Sequence, residues 1–191
     1  MADKETKLDR PINGLFLMST MTTIWVILAE YFFNNLDYNA VSIVFGIVII
    51  YFIIKYITFN RHKERLAEIS EIKDPKKQKA FWIIFCLEGI AILLLKNILV
   101  NIGEDTLFIS SMALIVGLHF IPLAKIFQRK FDYYIGLWTI VIATVGLILI
   151  SDKKYSPNIV NAFVCLSCAI STTFYGLKMI KDGTAILNEK S

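Results

Sequence analysis

The stretch FCLEGIAILLLKNILV, Phe85 to Val100, decides the architecture. It is the core of an apolar run from Ala80 to Val100, long enough as a helix to cross the roughly 30 Å hydrocarbon core of a bilayer. The run does not alternate with period two, and a continuous helix satisfies its own backbone hydrogen bonds where no water is at hand. A helix is therefore expected rather than a barrel strand. Two charges interrupt it, Glu88 near its middle and Lys96 further on.

Working outward, apolar windows of about 20 residues recur at Gly14–Phe33, Ala40–Phe59, Ala80–Val100, Leu107–Phe127, Tyr133–Ile150 and Ile159–Ile180. The expected fold class is all-α. It is a polytopic transmembrane helical bundle, one integral membrane domain over residues 1–191, with six spans arranged as three antiparallel hairpins. Composition agrees, because 56% hydrophobic residues and a mean hydropathy of +0.60 exceed what a soluble core needs. The polar segment Met1–Asn13 has no small-residue cleavage pattern after the apolar run that follows it, so that run is read as a retained helix.

Lysines and arginines crowd alternate connections. Lys4, Lys7 and Arg10 precede span one; Arg61, Lys63, Arg65, Lys73, Lys76, Lys77 and Lys79 follow span two; Lys125, Arg129 and Lys130 follow span four; Lys178, Lys181 and Lys190 lie at the C-terminal end. The opposite connections hold only Lys153 and Lys154. By the positive-inside rule this predicts a multi-pass protein of the cytoplasmic membrane with both termini cytoplasmic. The net charge of +4 thus reflects topology, and no nucleic-acid partner is expected. Residues 60–79 form the cytoplasmic basic loop, read as a solvated helical linker, with Leu66, Ile69 and Ile72 before Pro75 alternatively forming a short amphipathic helix along the inner surface.

Packing faces are visible in the later spans. Cys165, Ala169, Thr172 and Gly176 make a small-residue stripe on span six, and Thr139, Ala143 and Gly146 make one on span five, so these helices are expected to pair closely. Span two is bulky and apolar all round, which suits contact with membrane lipid. The small-residue faces and the basic loop also fit a membrane-protein partner or a second copy of the chain.

Glu88 lies about eight residues, or roughly 12 Å, from the inner end of span three. His119 lies at the same depth in span four, so the two are expected to meet between those spans. An ionised carboxylate at that level costs several kcal/mol unless paired, solvated or neutralised, and an acid beside an imidazole can hold a proton. Pro122 cannot donate to the Leu118 carbonyl, which leaves an acceptor beside His119. Glu30 and Lys96 sit near the outer boundary of spans one and three, where they are expected to pair and brace the bundle, with Lys96 alternatively reaching Glu104 or Asp105. Ser19 and Thr23 share a helical face with Glu30. The expected centre, built from spans one, three and four, binds a ligand or a proton through Glu88, His119, Pro122, Glu30, Lys96, Ser19 and Thr23.

The segment VCLSCAISTTFY, Val164 to Tyr175, with Cys165 and Cys168 as C-x-x-C, resembles the cysteine-bearing helix of vitamin K epoxide reductase-like membrane oxidoreductases. The resemblance implies thiol redox chemistry at that pair. That family also uses a second, loop-borne cysteine pair, whereas the outer connections here carry no cysteine, and packing is the leading reading of both thiols. No cluster has zinc-ligand spacing, and there is no Walker loop, nucleotide fingerprint, H-E-x-x-H or G-x-S-x-G sequence, so neither metal nor cofactor is expected. The function class expected is binding or translocation of a small solute, ion or proton. The alternatives are a noncatalytic immunity, assembly or regulatory membrane subunit, and a thiol oxidoreductase.

Overall fold

Each apolar run becomes one helix in a computed structural model that describes residues 4–34, 36–63, 70–72 and 75–188. The helices are α1 (Asp9–Phe33), α2 (Ala40–Lys63), α3 (Pro75–Asn101), α4 (Phe108–Phe127), α5 (Lys130–Ser151) and α6 (Pro157–Asn188). All six are long and apolar enough to cross a membrane. Most run past their apolar cores. Pro75 and Pro157 open α3 and α6, where proline's fixed φ suits the first turn and its missing N–H leaves no gap. α1 and α4 stop at Asn34 and Gln128, each left-handed with φ of 49° and 53°, and each returning its N–H to a carbonyl of the last turn.

Outside the spans, β1 (Lys4–Thr6) pairs antiparallel with β2 (Ser70–Ile72). This corrects the helical reading of Ile72, which is extended because its backbone pairs with the N-terminal segment; Leu66 and Ile69 lie outside the described residues. Asp9 secures the same corner. It accepts hydrogen bonds from the Thr6 N–H and hydroxyl at 2.7 and 3.0 Å and forms an ion pair with Lys63 at the end of α2.

Helix contacts run in the order α2, α1, α6, α5, α4, α3, with α6 also touching α2 and α4. The closest association is α1 on α6. There the buried Thr22 and Thr172 hydroxyls are 2.7 Å apart; Thr172 donates to the Cys168 and Ala169 carbonyls, so Thr22 is the donor between helices. α2 docks through one heptad stripe, Phe45, Phe52 and Phe59, its only buried side chains. Phe52 and Phe59 lie over Gly176 and Gly183, which repeat at the same interval on α6. The rest of the α2 surface is open, as its bulky apolar sequence suits, while seven-residue spacing keeps these rings in register with the glycines. α4 and α5 meet where Gly117 and Gly136 face each other's backbone; a Cβ on either would fall within 3.0 Å of the other helix.

Adding a methyl group at Gly176 places its Cβ 2.4 Å from the Phe52 ring. Gly176→Ala is expected to destabilise the bundle by about 1–3 kcal/mol through overpacking. Thermal unfolding in detergent checks this, and adding Phe52→Leu should restore part of the loss.

Candidate functional site

α3 is the most weakly held span. It packs on α4 and on the 3₁₀ turn Asp105–Leu107 before α4, and Leu99 is its one buried residue. Against this open background, Glu88 and His119 are an enclosed polar pair. Oε1 of Glu88 lies 3.1 Å from Nδ1 of His119, with the side chains only 11% and 17% exposed. The chain reverses at Gly103, whose φ of 74° is a backbone state favouring glycine. Glu88 and His119 stand nearly equal distances before and after that turn, so two regular helices bring them level.

The approach is electrostatic rather than an aligned hydrogen bond. Nδ1 of His119 is close to the carboxylate yet is buried without a hydrogen-bonding partner of proper geometry among the described residues. The imidazole is held from its other side by stacking on Phe120, with ring centroids 4.4 Å apart and planes 25° from parallel. A small movement of α3 would therefore make or break the acid–imidazole hydrogen bond. The arrangement can exchange a proton without a metal or a covalent step.

The other residues singled out from the sequence do not join this pair. Glu30 does not meet Lys96: α3 packs on α4 and not along α1, and Lys96 is exposed. Glu30 instead accepts the Ser42 N–H at 2.6 Å, while Asp37 accepts the Val41 N–H at 3.0 Å. Both carboxylates thus serve the positive N-terminal end of α2. The Val41 N–H is the main cause holding the Asp37 carboxyl below its ordinary range, so this cap is complete above about pH 4 and is lost as pH falls through the depressed value. Ser19 and Thr23 donate to the Leu15 and Ser19 carbonyls of their own helix, both at 2.8 Å. Pro122 lies on an exposed face of α4, within a helix that continues to Phe127. A single centre of spans one, three and four is thus not assembled, because α6 stands between α1 and the rest.

Cys165 and Cys168 are free thiols buried in the packed core of α1, α4 and α6. Cys86 is free and exposed on α3. The packed surroundings of the α6 pair withhold the access that thiol exchange requires.

A second polar group was not picked out from the sequence. At the end of the bundle that carries the start of α1, the Tyr175 hydroxyl donates to Oδ1 of Asp132 at 2.7 Å, and Arg129 donates from Nη1 to the Tyr175 oxygen at 3.2 Å. Asp132 is only 2% exposed. The Arg129 guanidinium also lies 4.6 Å from the Phe127 ring centre. These residues border a cavity of about 410 Å³ that Arg10, Lys130 and Lys178 also line. In the sequence, the basic residues are indistinguishable from topology charges. The one available signal is a tyrosine within α6 and an aspartate set in an otherwise basic connection.

Compared with known protein families, curated proteins and solved structures, the chain matches none.

The position of Glu30 makes a prediction that separates helix capping from an intramembrane brace. Glu30→Ala should lower stability by about 1 kcal/mol, while Lys96→Gln should leave the melting temperature unchanged. Equal losses, abolished together in the double variant, would restore the brace. At the α3–α4 seam, a double-mutant cycle on Glu88→Gln and His119→Asn should give a coupling energy of about 0.5–3 kcal/mol, measured by reversible unfolding in detergent.

Proposed function

We propose that the chain is a small multi-pass protein of the cytoplasmic membrane that binds or translocates a small solute, ion or proton, with Glu88 and His119 as its proton-binding element. The observation that carries this reading is the 3.1 Å acid–imidazole contact, enclosed within the seam that holds α3. Ionisable side chains inside a membrane span are costly, and their placement favours function over decoration. Supporting the membrane reading are the six apolar helices. The concentration of lysine and arginine on alternate connections supports three antiparallel hairpins with both termini in the cytoplasm.

The mechanism follows from the weak attachment of α3. With a proton on the imidazole and none on the acid, opposite charges draw α3 toward α4; with that proton released, an ionised acid faces a neutral imidazole and the attraction between opposite charges disappears. Occupancy by a proton therefore biases the position of one peripheral helix against a core that stays packed through α6. A solute bound beside the seam would be linked to the proton through the same displacement.

A noncatalytic subunit is the second reading, favoured by a specific feature of α3. Lys96 and Asn97 are both exposed toward the end of α3, flanked by apolar residues, and Asn97 answers part of its hydrogen-bonding need within its own helix through the Leu93 carbonyl at 2.9 Å. A partner helix would cover them. The enclosed thiols of α6 offer nothing comparable for redox chemistry.

Nitroxide labels on Cys86 of α3 and on Asn13→Cys of α1 report the separation of α3 from the core, since Asn13 and Cys86 are both exposed and the other cysteines are buried. In proteoliposomes, the distance distribution is expected to change reversibly with pH and to lose that dependence in Glu88→Gln and in His119→Asn. A distribution indifferent to pH in the parent, or equally sensitive in both variants, would refute the proton-binding role.

A further inference from the structure

At the opposite side of the bundle from Gly103, the 410 Å³ cavity is lined by Arg10, Arg129, Lys130 and Lys178, with Asp132 as its only acidic lining residue. Lys178 is engaged by Asp182 at 2.7 Å. Even with Asp182 counted, cations outnumber carboxylates by four to two among the described residues. Asp132 is not free to neutralise the rest, because it is buried and receives the Tyr175 hydroxyl. That same hydroxyl accepts Nη1 of Arg129, so Asp132 and Tyr175 fix the direction of the guanidinium.

Apart from Lys178, no cation of the lining forms an ion pair among the described residues. Arg10 and Arg129 act on each other as like charges. Arg10 makes no ion pair among the described residues, and Nε of Arg129 is buried without a hydrogen-bond partner. Two guanidinium groups held in mutual repulsion at the end of a membrane helix bundle are stabilised by an anion placed between them. Guanidinium forks match the oxygens of a phosphate, and a doubly charged group suits an excess of two cations. The cavity is also large enough for a headgroup-sized ligand.

We propose that Arg10, Arg129, Lys130 and Lys178, oriented by Tyr175 and Asp132, form a binding site for a phosphate-bearing anion, either free phosphate or the headgroup of an anionic lipid. Arg129 supplies the directional contact. Arg10 and Lys130, from the start of α1 and the start of α5, close on the anion from the two sides. The site is separate from Glu88 and His119, neither of which lines the cavity, and it stands or falls without them.

The test uses the full chain in phosphatidylcholine nanodiscs, with thermal stability read against increasing inorganic phosphate and, separately, against increasing phosphatidic acid in the disc. A saturable rise with inorganic phosphate identifies a free anion as the ligand; a rise with phosphatidic acid alone identifies a lipid headgroup. In either case Arg10→Gln and Lys130→Gln should each shift the midpoint of the titration by about tenfold, and added chloride should weaken binding by screening. Lys125→Gln, which alters a nearby exposed charge outside the lining, should leave the midpoint in place. Because Arg10 and Lys130 are exposed, their replacement tests the site even if Arg129→Gln fails to fold. No stabilisation by either phosphate source, or one that Arg10→Gln and Lys130→Gln leave unchanged, overturns the proposal.

Discussion

Lipid gives apolar helices no hydrophobic reason to leave it, so a bundle of such helices depends on how closely their backbones and side chains can pack. Here that closeness is concentrated on α6. Its small residues admit α1 along most of its length, its glycines receive the phenylalanines of α2, and its far side meets α5. The hydroxyl contact of Thr22 with Thr172 adds direction to an interface that dispersion alone would leave free to slide. At the other edge of α6, Asn161 donates to the Thr106 carbonyl at 3.0 Å and accepts from Ser110, tying the helix to the turn before α4.

The same constraint explains why α3 differs. It has no small-residue stripe with which to approach a neighbour, and a Cβ added at Gly89 would meet nothing within 4 Å. Its attachment is a single seam with α4, and within that seam lies an acid facing an imidazole. A peripheral helix whose one seam sets an acid against an imidazole is a physically natural place for a conformational response. The tightly packed pairs, α1 with α6 and α4 with α5, are not, since their association does not vary with charge.

Charge is distributed with similar asymmetry along the helix axes. Arg10, Arg129 and Lys178 gather at one end as the wall of a cavity, where Tyr175 and Asp132 direct Arg129 and Asp182 engages Lys178. The same residues therefore carry the topological signal and line the cavity. In a membrane protein the positive-inside bias and an anion site are difficult to separate by composition, because both require lysine and arginine near helix ends.

The six apolar helices were legible in the sequence because length and hydropathy are local properties, and lipid enforces helical hydrogen bonding on any such run. The common level of Glu88 and His119 was legible too, as a regular helix converts residue counts into depth and both residues are counted from one turn. Adjacency between helices that no short connection joins was not. Glu30 and Lys96 also share a depth, but depth does not say which helices touch, and the packing order put α6 beside α1 and left Lys96 exposed. The phenylalanine stripe of α2 was hidden within a uniformly apolar span, since its meaning lies in two glycines more than a hundred residues away. The cluster of Asp132, Tyr175 and the arginines likewise comes from three separated segments. Period and composition determine what each helix is; only the complementarity of helix surfaces, a property of pairs, decides which residues meet.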